Sequence, residues 1–182
     1  MRIITGTARG RKLVSLPGED TRPTAERVKE AVFSIIQFEV EGRRFLDLFA
    51  GSGQMGLEAL SRGAASAVLV DSAKPAVEVI RQNAASTGLE QNAQVVAADY
   101  QPYLLGCKGS FDIAFLDPPY SKGILPKALE LLVPHMSDSG LILCEHRKTD
   151  EMPAAVGPFT LRRQYRYGQT LLSAYRKGEE TP

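Results

Sequence analysis

The chain has 182 residues, 43% hydrophobic and 24% charged, which is material for one α/β domain and too little for two full ones. No run approaches the ~18 apolar residues of a membrane span, and the opening MRIITGTARGRKL lacks the apolar stretch of a signal peptide, so a cytoplasmic protein is expected. The formal net charge of +1 hides a pattern: residues 1–44 and 146–182 are each +3 and the block 45–145 is −5, which suits a carboxylate-built site flanked by surfaces for a polyanion.

Taken in chain order, Arg2 to Leu16, with RIIT and RKLVSL around Gly6 and Gly10, reads as a two-stranded ribbon. Asp20 to Thr24 is turn chemistry, with Thr24 an N-cap. Val28, Val32, Ile35 and Ile36 then recur at helical spacing to about Phe38. A βα rhythm follows, with strands at 44–50, 67–71, 94–98, 111–116 and 141–145 and helices at 53–62, 73–86 and 123–136. Such alternation implies right-handed crossovers and a mostly parallel, doubly covered sheet. Residues 159–167 and 169–176 are strand-like runs joined tightly at Gly168, an antiparallel hairpin added to that sheet. Cys107 and Cys144 lie outside any CxxC or Cys/His cluster and read as buried free thiols. His135 and His146 have no ligand partners in sequence and read as surface or helix-end residues, so no metal site is expected.

Four motifs carry chemistry. In LDLFAGSGQMG, Gly51, Gly53 and Gly56 satisfy GxGxxG between a strand and a helix, a pattern shared by dinucleotide-binding and methyl-donor folds. Asp47 separates the two, because a carboxylate just before the turn repels a pyrophosphate and suits the ammonium and sulfonium of S-adenosylmethionine. Asp71, ending AVLVD, reads as an acceptor for ribose hydroxyls or as a cap for the next helix, with Ser72 sharing either place. Asp99 and Tyr100, after the third strand, read as an acceptor for adenine and a plane against it, or as a helix cap. Asp117-Pro118-Pro119-Tyr120 follows FDIAFL directly, and the prolines make a rigid, donor-free corner. Its carboxylate and the Pro118 carbonyl are neighbouring acceptors that can grip an aryl amine and point its lone pair, with Tyr120 to stack on the base. Glu145 ends the fifth strand and either faces this site or makes a structural hydrogen bond.

RIITGTARGRKL, TRPTAERVKEAVFSII, LDLFAGSGQMGLEALSRGA, LDPPY and YGQTLLSAYR together resemble one family from Arg2 to about Arg176. It is the bacterial 16S small-subunit ribosomal RNA guanine-N2 methyltransferase family called RsmD. LDLFAGSG and DPPY occur in many amino methyltransferases; RGRKL and RPTxxRVKE are the selective stretches. The resemblance implies a Rossmann-like, seven-stranded S-adenosylmethionine-dependent methyltransferase sheet. It also implies an antiparallel C-terminal hairpin and a small N-terminal β-ribbon plus helix. On that basis residues 1–182 form one domain, with 1–22 the ribbon, 23–177 the helix and catalytic core, and 178–182 a flexible tail. The resemblance also implies that Asp47, Ala50, Gly51, Gly53, Asp71, Asp99 and Tyr100 line the cofactor site and that Asp117 to Tyr120 line the target-base site. Some members carry Glu at the position of Asp71 and Phe at that of Tyr120; the shorter acid still reaches ribose.

Small-subunit ribosomal RNA is then the expected partner, free or in an assembling particle, and the protein is expected to be a monomer. Arg9, Arg11 and Lys12 on the ribbon and Arg22 before the helix become phosphate contacts, and Arg162, Arg163 and Arg166 with Tyr165 and Tyr167 a second basic-aromatic patch. The same charges can instead protect edge strands. Competing functions are DNA-adenine or protein-glutamine methylation through the same DPPY corner, an NAD-dependent oxidoreductase, and a non-catalytic RNA-binding module.

Overall fold

In the computed structural model, which describes residues 1–17, 23–120 and 123–178, the apolar runs assemble into one eight-stranded sheet. Helix α1 (Pro23–Ile35) precedes β1 (Arg44–Asp47), α2 (Gln54–Ser61) leads to β2 (Ser66–Asp71), and α3 (Lys74–Thr87) leads to β3 (Ala93–Ala97). Next come α4 (Tyr100–Gly106), β4 (Phe111–Leu116), α5 (Ile124–Leu132) and β5 (Met136–Arg147), then β6 (Ala155–Val156), β7 (Phe159–Tyr167) and β8 (Thr170–Lys177). The spatial order is β3-β2-β1-β4-β5-β8-β7-β6. Strands β1 to β5 pair in parallel, whereas β8 runs antiparallel between β5 and β7.

Period-two alternation along each strand divides the core into two layers. Phe45, Leu69, Ile113, Leu141 and Leu172 pack with α1, α2 and α3 on one face. Their chain neighbours Leu46, Val70, Ala114 and Ile142 pack with α4 and α5 on the other. The chain winds outward from β1 to β3 and then returns to place β4 beside β1. That reversal opens a crevice at the carboxyl ends of the strands, where ligands of open α/β sheets bind.

The structure corrects several expectations. The seven expected strands gain an eighth, the two-residue β6, which pairs with β7 at the sheet edge. Helix α4 was not anticipated. It is short and carries Pro102 in its first turn, a position that tolerates proline because that N–H lacks a helical partner. Helix α5 stops at Leu132 instead of Met136, because Pro134 cannot donate the next backbone bond, and a 3-10 turn over Val133–His135 delivers the chain into a longer β5. Helix α1 begins at Pro23, ahead of Thr24, and ends at Ile35, leaving Phe38 91% exposed in the following turn. Cys144 is buried but Cys107 is only half-buried. His146 is a core residue of β5, 1% exposed, and not a surface histidine. Arg22 and nearly all of the expected tail lie outside the described residues.

The N-terminal ribbon contracts to a single antiparallel bridge between Arg2 and Lys12, closed by Ile3 and Gly10 backbone bonds to Arg11 and Ile3. Polar side chains of the core hold it instead. The N–H groups of Ile4 and Thr5 donate to the buried Glu58 carboxylate at 2.8 and 3.0 Å, and Ala8 N–H donates to Ser61 Oγ at 3.0 Å. Arg62 Nε donates to the same carboxylate at 2.8 Å, and the buried Lys29 ammonium, its pKa lowered by desolvation, lies 3.8 Å away and donates to the Arg2 carbonyl. Gly6 is obligatory here: its φ is +90°, and an added Cβ would lie 1.7 Å from the Ser61 carbonyl oxygen. The bonds from Ile4, Thr5 and Ala8 join residues more than fifty positions apart, and no local pattern announces them.

Candidate active site

The glycine turn leaves β1 and enters α2, whose N-cap is Gly53 in the left-handed conformation. Gly56 lets α2 lie directly on β2, since a Cβ there would meet Leu69 Cδ2 at 2.7 Å. Two acids fix the turn through its backbone. Asp47, 1% exposed, accepts the Gly56 N–H at 3.0 Å. Asp71 accepts the Gly51 N–H on one oxygen and the Ala73 N–H on the other, both at 2.9 Å, so it braces the turn and closes a tight Asx turn just ahead of α3, whose N-cap Ala73 receives no side-chain bond. Burial raises the Asp47 carboxyl to about 7, opposed by the Gly56 bond and reinforced by the nearby Asp71 charge. Ser72 is exposed next to Asp71, and Ala50 is buried, donating to the Val70 carbonyl at 2.9 Å.

One strand further out, Ala98 N–H donates to the Asp71 carbonyl, which ties the end of β3 to the end of β2. Exposed Asp99 is the N-cap of α4 and accepts the Gln101 N–H at 3.3 Å, so the capping role weighed for it is present. Tyr100 packs against the half-exposed Phe49, their ring centroids 5.5 Å apart. Asp47 and Asp71 thus end β1 and β2, and Asp99 lies two residues past the end of the neighbouring β3. Each carboxylate oxygen holding one N–H keeps a lone pair, and such a row fits a ligand bearing a cation, a diol and an amine.

Across the reversal point lies the DPPY corner. Leu116 and Cys144 are the last registered pair of β4 and β5, so Asp117 and Glu145 stand side by side one step beyond. Tyr120, 37% exposed, donates its hydroxyl to Glu145 Oε1 at 3.3 Å, and the Arg147 guanidinium covers its ring at 4.6 Å from the centroid. Burial, together with the Glu145 and Asp117 charges, pushes the Tyr120 phenol up to about 12, so it remains a donor. Burial also raises Glu145 to about 7, against the favourable Tyr120 bond. Pro118, Pro119, Tyr120 and Glu145 line a cleft of about 270 Å³ that continues to Ile124 and Met152.

The basic candidates are exposed but not idle. Arg11 donates to the Ser86 carbonyl at 3.1 Å, Arg162 to that of Lys177 and Arg166 to that of Gly168, and Arg163 lies over Tyr165. Arg9 and Lys12 are exposed on the ribbon. Among the described residues, no group of three His, Cys, Asp or Glu is arranged to hold a metal ion, and no helix is long and apolar enough to cross a membrane.

A family model described as "Conserved hypothetical protein 95" matches residues 1–176. The chain is 34% identical to the Escherichia coli K12 protein named Ribosomal RNA small subunit methyltransferase D, over 97% of this chain and 90% of that one. The chain belongs to the RsmD family. It is also 37% identical to the Bacillus subtilis protein described as "Putative rRNA methyltransferase YlbH", over 97% and 99% of the two chains. A solved Escherichia coli structure, "Putative methyltransferase yhhF", superposes with a TM-score of 0.87 at 34% identity, covering 97% of each chain.

Within this RsmD-family fold, sequence reasoning passed over Phe49, Arg147 and Glu58. Phe49 lies inside the glycine motif itself, where an aromatic residue reads as strand core. Arg147 sits two residues past Glu145, so period two alone would have placed both side chains on one face.

Proposed function

We propose that this chain transfers a methyl group from S-adenosylmethionine to N2 of a guanine in small-subunit ribosomal RNA. The observation that carries the reading is the Asp117-Pro118-Pro119-Tyr120 corner, set beside the glycine turn at the point where the strand order reverses. Methyl transfer to ribosomal RNA also accords with the names of its relatives.

S-adenosylmethionine, when bound, supplies an electrophilic methyl; the rest is positioning by this chain. Asp47 lends negative charge beneath the glycine turn, Asp71 offers its remaining lone pairs to a diol, and Asp99 and Tyr100 offer an acceptor and a ring to the adenine. The lone pair of an aryl amine is delocalised into its base and attacks poorly. The Asp117 carboxylate and the Pro118 carbonyl accept the two amine hydrogens, favour a pyramidal nitrogen and aim its lone pair. The Asp117 carboxylate also stands ready for the proton that the amine must lose. Orientation of this kind is worth ~7–11 kcal/mol. The exposed cations Arg9 and Lys12, with Arg162, Arg163 and Arg166 at the other end of the sheet, serve the RNA backbone; Arg11 shares that work with its hold on Ser86.

The test is methyl transfer from labelled cofactor to small subunits lacking the modification, followed by nucleoside analysis. N2-methylguanine in the RNA is the expected product. Label appearing as N6-methyladenine, or in ribosomal protein, would overturn the reading.

A further inference from the structure

The acceptor side of the cleft holds a carboxylate that the proposed transfer does not use. Glu145, inside β5 and paired with Leu172 of β8, follows the last registered pair of β4 and β5 just as Asp117 does, and lines the same cleft as Pro118, Pro119 and Tyr120. It is half-buried, and the Tyr120 hydroxyl reaches it at 3.3 Å. The backbone on its far side is locked. His146 Nδ1 is 2.9 Å from the Arg147 carbonyl, and because a carbonyl only accepts, that nitrogen carries the proton. His146 Nε2 is left to accept from Ser173 Oγ at 2.7 Å, and Gln164 donates to the same hydroxyl at 2.9 Å. Every member of this chain is satisfied, so Glu145 stands on a rigid support.

Resting on the guanine-N2 reading above, we infer that Glu145 selects the base: its carboxylate accepts the N1–H of guanine while Asp117 and the Pro118 carbonyl hold the neighbouring N2 amine. Guanine presents N1–H and the N2 amine side by side as donors. Adenine presents a lone pair at N1 beside its own amine, and a carboxylate facing that lone pair is repelled and left unpaired. Sites whose buried polar groups lose a partner discriminate far better than sites that differ by shape alone. The Tyr120 bond fixes one carboxylate oxygen and turns the group toward the cleft, and Arg147 holds the tyrosine ring that carries that bond. The raised carboxyl of Glu145 accords with a group that burial alone leaves short of hydrogen-bond donors, which a base edge would supply.

The experiment uses the full chain and small subunits reconstituted with RNA carrying either guanosine or 2-aminopurine at the methylated position. 2-Aminopurine keeps the N2 amine but converts N1 from a donor to an acceptor. For the wild-type chain, kcat/KM should favour guanosine by about 10- to 100-fold, the worth of a hydrogen bond to a charged group. Glu145→Gln can donate its amide N–H to the 2-aminopurine N1, so the preference should shrink to about threefold or less. Glu145→Asp keeps the acceptor and should keep the preference at a lower rate, which guards against misreading a folding defect. If Glu145→Gln slows both substrates equally and leaves the ratio unchanged, Glu145 is structural and the inference is overturned while N2 methylation stands. If the wild-type chain makes no N2-methylguanine in unsubstituted subunits, the underlying reading fails as well.

Discussion

The two halves of the crevice hold their acids by different means. On the side of the glycine turn, Asp47 and Asp71 are bound by backbone N–H groups of that turn and of Ala73 just ahead of α3. On the side of the DPPY corner, Glu145 meets a tyrosine hydroxyl, and the tyrosine in turn lies under an arginine. Backbone partners cannot rotate, so the glycine-turn half is set once the sheet forms. In the reaction proposed above, side-chain partners can be exchanged for a substrate's groups, so the DPPY half can trade contacts with an incoming base. Acids within one crevice are told apart by what already holds them.

The difference between the two halves shows most strongly at Asp117. Asp117→Ala should lower kcat by about 100- to 1,000-fold, the usual consequence of deleting one preorganised group at the reacting centre. Cofactor affinity should stay within about twofold of wild type, because a group that serves only the acceptor amine adds nothing to donor binding. Loss of cofactor binding in a folded variant, seen by titration calorimetry, would place Asp117 on the wrong side of the crevice. Asp117→Asn should be milder, since its amide oxygen still accepts one hydrogen.

Next in size is Asp71→Ala, which should weaken cofactor binding by ~1.5–3 kcal/mol, the range for hydrogen bonds to a charged group. The turn contributes to that loss too, since the N–H groups of Gly51 and Ala73 lose their acceptor. Turnover at saturating cofactor should change little. Unaltered affinity would mean that Asp71 only braces the loop.

Asp47 gives a smaller, pH-dependent effect whose sign follows from its raised carboxyl. Its folded pKa of about 7 lies above the ordinary value of ~3.9, so the folded state binds more protons than the unfolded chain between those values. Stability contributed by the neutral form is therefore lost as pH rises from about 4 through about 7. A cationic cofactor favours the ionised form, so binding releases a proton, and affinity should rise by up to about tenfold per pH unit below 7. Asp47→Asn keeps an acceptor for Gly56 but cannot ionise, and should flatten that dependence between pH 6 and 8. A wild-type profile that is already flat would show that the charge of Asp47 plays no part.

Much of this crevice was legible in the sequence because its parts are local. GxGxxG and DPPY are short, each sits where a strand ends, and the nearly continuous apolar runs at 44–50 and 111–116 mark two central buried strands. Helix α4 was not legible because a seven-residue segment with an early proline shows no helical period. Nor could the sequence show that Asp99 caps α4 whereas Asp71 braces the glycine turn and leaves α3 without a side-chain cap; both roles fit either position, and the observed N–H partners distinguish them. The burial of His146 and the attachment of the ribbon to Glu58, Ser61 and Asn83 depend on long-range pairing that no motif encodes.

That attachment sharpens the last and smallest prediction, which concerns the ribbon. In sequence, Arg9, Arg11 and Lys12 are remote from the glycine turn, yet the structure joins the ribbon to it. Asn83 donates both to the Val14 carbonyl at 3.0 Å and to the Ser52 carbonyl at 2.9 Å, and Ser52 belongs to the turn. Arg11 also grips the Ser86 carbonyl, so its loss would mix an RNA effect with a loosened ribbon. Neutralising Arg9 and Lys12 alone gives the cleaner test. If both meet RNA phosphates, affinity should fall by about tenfold near physiological salt, and the slope of log K against log salt should flatten by ~1.4–1.8. Cofactor affinity should not change, because neither charge touches the turn. The guanosine preference should also survive, since phosphate contacts position a substrate and base contacts specify it. The competing view gives these charges only the task of keeping an exposed ribbon from pairing with another chain. It forecasts unchanged affinity, an unchanged slope and a tendency to aggregate. Filter binding across a salt series separates the two, and a slope equal to that of wild type would remove the ribbon from the RNA-binding surface.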